Sequence, residues 1–179
     1  IKPKIYYLAD KEYNKDVLYK NEIEFRKISG GKLKRGAGAS GAVSNFFGMF
    51  KTLFGCIKAF ILLFKLYPDV VFSNGGYIAF PVLLSARILR IPVFIHNSDT
   101  VPSRVTLFAS KFAAKVSVAF PESIEHLKHV KKERIALLGN PVRDLMLTPL
   151  RNGAHEFLEL DYNIPTLFIL GGSQGSRAI

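Results

Sequence analysis

The chain has 179 residues, 49% hydrophobic and 22% charged, which is enough to bury a core and excludes a disordered or low-complexity segment. Cys56 is the one cysteine, so a disulfide framework and a cysteine zinc cluster are excluded, and a reducing compartment fits. The 25 Lys and Arg against 14 Asp and Glu leave a net charge of +11, which draws polyanions (nucleic acid, anionic headgroups, phosphorylated small molecules) without choosing among them.

In chain order, "KIYYL" (4–8) reads as a buried strand, "KEYNKDVLYKN" (11–21) as a short polar helix and "IEFRKI" (23–28) as a second strand. "SGGKLKRGAGASGA" (29–42) is a Gly-rich basic loop, and one long helix spans 43–67 until Pro68. "DVVFS" (69–73) is a strand, "NGGY" (74–77) a tight turn and "AFPVLLSARILR" (79–90) a helix. "PVFIH" (92–96) is again a strand, and a helix is expected near 103–112. "KVSVAF" (115–120), "ESIEHLK" (122–128), "RIALLG" (134–139) and "TLFIL" (166–170) continue the alternation. Short apolar strands alternating with helices predict an α/β fold with a mostly parallel sheet covered on both faces. Residues 144–164 read as a connection. The chain opens on Ile1 without Met or a signal-peptide pattern and closes on "FILGGSQGSRAI", a turn with no helix after it. Both ends are expected to continue in a longer protein.

In open parallel sheets, ligands bind beyond the carboxyl ends of the strands. "SNGGY" (73–77), "HNSDTVPSR" (96–104) and "GGSQGS" (171–176) all follow strands there. Paired glycines turn the backbone sharply and expose N–H groups at the next helix, a seat for a diphosphate; they also serve simply to shape a βα turn. The turn at 171 matches neither a dinucleotide fingerprint nor a P-loop, and Ser173 and Gln174 add side-chain donors to it. In "LLGNPVR" (137–143), Pro141 fixes the backbone after Asn140, and Arg143 carries a fork suited to phosphate oxygens. His96 ends a strand facing the crevice, where a lone histidine is more often hydrogen-bonded structure than a base. No spacing among the four histidines supports a metal site, and Cys56 is most simply a packing residue.

The long helix places Lys51, Lys58 and Lys65 on one stripe, with Ser44, Gly48, Thr52 and Gly55 widening that polar side and phenylalanines crowding the rest. Three lysines, each costing about 2.5–3.5 kcal/mol near a bilayer centre, argue against a transmembrane span. The alternatives are an amphipathic helix packed on the core and one whose apolar face dips into a membrane interface. In the second, Phe46, Phe47, Phe50 and Phe54 would enter the interface while Lys51 and Lys58 meet anionic headgroups.

Taken together and in order, "SNGGYIAFPVLLSARILRIPVFIHNSDTVPSR", "AFPES", "LLGNPVR" and "LFILGGSQGSRA" closely resemble the bacterial MurG family of lipid-II-forming N-acetylglucosaminyltransferases. "ISGGKLKR" (28–35) is similar to the family's stretch after its second strand. The resemblance runs from about residue 4 to the end. It implies a Rossmann-like parallel sheet forming the N-terminal half of a two-domain GT-B-type glycosyltransferase, truncated at both ends. On that view residues 1–148 form the acceptor-side domain, lacking its first strand and Gly-rich loop. Residues 149–164 connect the domains, and 165–179 open the donor domain.

The family implies transfer of N-acetylglucosamine from UDP-N-acetylglucosamine to the 4-hydroxyl of the muramoyl sugar of lipid I, with inversion, for peptidoglycan synthesis. It also implies a peripheral enzyme on the anionic cytoplasmic face of the cell membrane, with no cofactor and no metal. Arg143, Ser173, Gly171, Gly172, Gln174 and Gly175 fall on donor-binding positions. Gly75, Gly76 and Tyr77 fall on the acceptor-domain glycine turn. His96, Asn97, Ser98 and Asp99 stand where the family carries His-Glu-Gln-Asn, which puts His96 and Asp99 on the acceptor side with a carboxylate in place of an amide. The base is expected upstream of Ile1, so residues 1–179 alone are expected to lack transferase activity. The alternatives are another UDP-sugar-dependent GT-B glycosyltransferase or epimerase and, more remotely, a basic nucleic-acid-binding domain. The last lacks stacking motifs and a recognition helix, so nucleic acid is not an expected partner.

Overall fold

The computed structural model describes residues 2–31, 39–148, 153–161 and 163–167. The chain divides into two compact units, Ile1–Asn140 and Pro141–Ile179.

In the first unit, β1 (Tyr6–Ala9) and β2 (Glu24–Lys27) pair in parallel through α1 (Lys15–Lys20), whose Asp16 and Lys20 lie at the ends that the helix dipole favours. The helix α2 (Ala39–Leu66) begins earlier than the apolar run that announces it. It ends where Tyr67 turns to φ 38° and Pro68 withholds an N–H. Then β3 (Val71–Ser73), α3 (Ala79–Ile88), β4 (Val93–Asn97), α4 (Arg104–Ser110), β5 (Lys115–Val118) and β6 (Ile135–Leu137) complete the unit. Strands β3, β4, β5 and β6 are hydrogen-bonded in that order, all parallel. The expected helix at 122–128 is instead a 3-10 turn, Pro121–Leu127, started by a proline and too short in apolar residues to carry an α-helical face.

The parallel strands alternating with helices follow the expected α/β plan. Among the described residues, β1–β2 and β3–β6 are two separate sheets. Val71, Val93, Ile95, Val116 and Val118 turn one face of the larger sheet into the core, against residues of α2, α3 and α4. The alternating positions Phe72 and Phe94 lie side by side on the other face, 66% and 38% exposed. Successive strands added in one direction by right-handed crossovers put their connecting helices on the same face, which leaves Phe72 and Phe94 exposed among the described residues.

The helix α2 packs chiefly on α3 and buries Gly55, Ala59 and Leu63. Gly48, Thr52 and Gly55 do not belong to an outer polar side, as the stripe of lysines suggested. They receive the chain leaving β2: Gly31 N–H donates to Thr52 Oγ1 at 2.9 Å, and a Cβ on Gly55 would lie 2.0 Å from the Ser29 carbonyl oxygen. The bulky residues are driven outward, and Phe46, Phe50, Leu53, Phe54, Ile57 and Phe64 are exposed. Cys56 is half-buried and its thiol is pushed up by desolvation, consistent with a packing role.

The second unit holds α5 (Asp144–Leu147) and α6 (Ala154–Phe157), both single turns, within the stretch read as a connection. The strand expected at 166–170 falls mostly outside the described residues.

The contact at Gly55 gives the first test. Gly55→Ala improves helix propensity yet drives a methyl group into backbone, so it is expected to destabilise the full-length protein by about 1–3 kcal/mol in urea unfolding. Unchanged or higher stability would show that the approach of Ser29 to α2 is not tight.

Candidate functional site

The carboxyl ends of β3, β4 and β6 carry the first unit's candidate residues. After β3, buried Ser73 accepts the Gly75 N–H on its Oγ at 3.0 Å. Gly75 and Gly76 then take φ 80° and 85°, the left-handed region that a side chain disfavours. The Gly75 N–H is therefore turned back into the loop, a correction to the expectation that both glycines offer their amides outward. Gly76 lies in open space, and its carbonyl oxygen accepts Ala79 N–H at 3.2 Å as α3 begins. Tyr77 beside it is exposed.

Gly75 is also held from the side. A Cβ there would lie 2.5 Å from Thr106 Oγ1, which is 2.9 Å from Ser103 Oγ. Ser103 in turn caps α4, accepting Thr106 N–H at 3.1 Å. The first turn of α4 thus buttresses the glycine turn.

At the end of β4, Asn97 is only 2% exposed, an amide at the close of an apolar strand. Its Nδ2 donates to the Asp99 carbonyl oxygen and to Ser123 Oγ, while Ser123 Oγ donates to the same carbonyl at 2.8 Å. These bonds hold the backbone of Asp99 and leave the residue exposed, its carboxylate available to solvent. His96 is buried, with Nδ1 2.9 Å from Ser117 Oγ and Nε2 3.2 Å from Asn140 Oδ1. Both ring nitrogens thus lie within hydrogen-bond reach of protein side chains, as expected of a lone histidine closing a strand there. Asn97, Ser117, Ser123 and Asn140 were missed as site residues. The available signal is the polar residue that closes the apolar strand at 97.

Arg143 is exposed and belongs to the second unit, where it precedes α5 and its carbonyl oxygen accepts Met146 N–H at 2.8 Å. Gly171, Gly172, Ser173, Gln174 and Gly175 lie outside the described residues. Of the candidate membrane residues, Phe46, Phe50, Lys51, Phe54 and Lys58 are exposed on α2, and the side chain of Phe47 lies outside the described ones. Phe46 and Phe50 meet edge to face with centroids 4.9 Å apart.

The two glycines differ in a measurable way. Both would carry the left-handed cost of about 1–2 kcal/mol on substitution by alanine, but only Gly75→Ala also collides with Thr106. Gly75→Ala is expected to unfold at lower urea than Gly76→Ala. Equal midpoints would show that the α4 buttress gives way.

The model for the glycosyltransferase family 28 N-terminal domain matches residues 2–118. The chain is 38% identical over 157 residues to a protein of Treponema denticola and 36% identical over 176 residues to one of Clostridium perfringens. Both bear the name UDP-N-acetylglucosamine--N-acetylmuramyl-(pentapeptide) pyrophosphoryl-undecaprenol N-acetylglucosamine transferase. These matches take in 88% and 98% of this chain but 39% and 47% of those proteins, so the chain spans less than half of their length. Acinetobacter baumannii MurG superposes with TM-score 0.54 at 25% identity, over 82% of this chain and 39% of that one. Anabaena Alr3699/HepE, solved in complex with UDP, superposes with TM-score 0.55 at 12% identity over 88% of this chain and 49% of that one, a likeness of fold alone. With the family model covering most of the first unit and the parallel α/β architecture in agreement, the chain belongs to glycosyltransferase family 28, whose N-terminal domain its residues 2–118 match.

Proposed function

We propose that this chain is the acceptor-side part of an inverting enzyme that transfers N-acetylglucosamine from UDP-N-acetylglucosamine to the 4-hydroxyl of the muramoyl sugar of lipid I, giving lipid II. The observation that carries the reading is the 36% identity to the Clostridium perfringens transferase over 98% of the chain, a span that includes "GNPVR" and "GGSQGS". A UDP-N-acetylglucosamine 2-epimerase shares the fold at 15% identity, a likeness that does not favour the rival chemistry. Gly76 and Tyr77 lie at the mouth of α3, where amides without an intrahelical partner suit a lipid-linked pyrophosphate. Arg143 supplies a guanidinium fork to the donor diphosphate, and Ser173 with the 171–175 turn holds the nucleotide sugar.

The domain reading belongs to the same proposal. Among the described residues β1 pairs only with β2, and β3 only with β4. A parallel strand seated between β1 and β3 gives the doubly wound order 3-2-1-4-5-6, with β6 added as a seventh strand at the edge. A full-length structure with β1 and β3 hydrogen-bonded to each other would refute this.

The membrane reading rests on α2. Among the described residues no helix is long and apolar enough to cross a bilayer. Yet α2 turns Phe46, Phe50, Phe54, Ile57 and Phe64 away from the core with exposed Lys51, Lys58 and Lys65 beside them, the pattern of an interfacial helix. Docking there places the enzyme at the cytoplasmic membrane face beside its lipid-linked acceptor.

The full-length protein is expected to turn over lipid I with UDP-N-acetylglucosamine. Arg143→Ala is expected to raise the donor KM roughly ten- to hundredfold, as for loss of a hydrogen bond of about 1.5–3 kcal/mol to a charged group. Transfer to another acceptor but not to lipid I would reject the reaction. Flotation with liposomes is expected to need anionic lipid and to weaken in Phe50→Ser/Phe54→Ser; binding indifferent to both removes the membrane surface from the account.

A further inference from the structure

Three successive carbonyl groups at the end of β4 are turned into the protein. The Asn97 carbonyl oxygen accepts Ala119 N–H at 2.9 Å, and that of Ser98 accepts Asn140 Nδ2–H at 3.2 Å. The Asp99 carbonyl oxygen accepts Asn97 Nδ2–H and, at 2.8 Å, the Ser123 hydroxyl. In a trans peptide the C=O and the following N–H point in opposite directions, so the N–H groups of Ser98, Asp99 and Thr100 are turned the other way. None of the three meets an acceptor among the described residues. Asp99 itself is exposed beside them.

The two side chains that hold the Asp99 carbonyl are both buried. Asn97 closes β4, Ser123 stands in the 3-10 turn after β5, and Asn97 Nδ2 also donates to Ser123 Oγ at 3.2 Å. Burying an amide and a hydroxyl costs free energy that an apolar pair of like size would not, and here they fix one carbonyl of an exposed residue. Were the loop to swing outward, water would satisfy that carbonyl. The bonds therefore act on the path of the loop. Beyond Asp99 the chain reaches Ser103, whose Oγ lies 3.4 Å from a Cβ placed on Gly75, so the loop borders the turn proposed to seat the pyrophosphate.

We infer that Asn97 and Ser123 are positioning residues for the acceptor: by holding the Asp99 carbonyl inward they present the Asp99 carboxylate and the Ser98, Asp99 and Thr100 amides to the muramoyl sugar of lipid I. The inference rests on the proposed reaction and on the acceptor-side reading of Asp99. A sugar hydroxyl suits this rim, since it donates to a carboxylate and accepts from an amide at once. A phosphate would accept from the amides but is repelled by the carboxylate. The pyrophosphate accordingly goes to Gly76 and Tyr77, and the sugar bonded to it comes to the 98–100 loop. Neither Asn97 nor Ser123 touches the acceptor. Together they leave less ordering of the loop to be done on binding.

The test uses the full-length protein with UDP-N-acetylglucosamine and lipid I. Ser123→Ala removes the hydroxyl, and Asn97→Leu replaces the amide by an apolar group of like size. Each is expected to raise the lipid I KM about tenfold with kcat and the donor KM nearly unchanged, because order in the loop is lost and the reacting geometry is not. The double variant should stay near the worse single one, since both bonds act on one carbonyl. Asp99→Ala, at an exposed position, should raise the lipid I KM as well. In the wild-type protein, lipid I should slow amide exchange at residues 98, 99 and 100, and UDP-N-acetylglucosamine alone should not. An unmoved lipid I KM in Ser123→Ala or Asp99→Ala, equal rises in the KM of both substrates, or single effects that multiply to about a hundredfold would overturn the inference. So would exchange at 98–100 that lipid I leaves unchanged, a result independent of how well any variant folds. A wild-type protein that transfers no N-acetylglucosamine to lipid I rejects the proposed reaction and the inference with it; turnover with an unmoved lipid I KM rejects the positioning role alone.

Discussion

The approach of the Ser29 carbonyl to Gly55 is the contact on which the rest of the first unit depends. Gly48, Thr52 and Gly55 form a shallow strip along α2, and the backbone of residues 29–31 lies in it. On its other side the same stretch touches the turn after β3, with a Gly30 Cβ position 3.1 Å from the Tyr77 carbonyl oxygen and Ile78 Cα. The exit of β2, the flank of α2 and the start of α3 are thereby held within backbone contact of one another. Any larger side chain in the strip would lift α2 off and take the glycine turn with it.

Spending the inner face of α2 on small residues has a consequence outside. Phe46, Phe50, Phe54 and Phe64 are left on an apolar face turned away from the sheet, with exposed lysines beside it. Such a face is costly in water and suits a surface that is apolar within and anionic without. The net charge of +11 acts in the same direction. Close backbone packing on one side of α2 and an exposed apolar face on the other are two results of one arrangement of residue sizes.

The strand ends follow a different logic, in which polar side chains fold the loops back on themselves. Ser73 holds the Gly75 amide, Asn97 and Ser123 hold the Asp99 carbonyl, and His96 with Asn140 closes the gap from β4 to the end of β6. Loops carry unpaired backbone groups, and side chains within reach satisfy them while fixing the conformation. The rim is therefore preorganised before any ligand arrives. Asp99 and Gly76 remain exposed at that rim, whereas His96 and the Gly75 amide are already engaged within the protein.

Much of this was legible in the residues. Short β-branched runs broken by glycine turns announce the parallel α/β plan, because strand and helix periodicities are local properties of side chains. The glycine turn at 75–76 was visible since only glycine takes two successive left-handed conformations cheaply. The lysine stripe of α2 was visible too, but its inner face was misread, because polarity on a helical wheel does not reveal which neighbour lies within 3 Å. Nor could sequence show Phe72 and Phe94 left exposed side by side on the sheet or a histidine closed at both nitrogens by residues 21 and 44 positions away. The sequence alone determined the elements, the turns and the charge, which depend on neighbours along the chain. Tertiary structure alone decided which polar groups are already satisfied, since a hydrogen bond across strands exists only once the sheet has set its register.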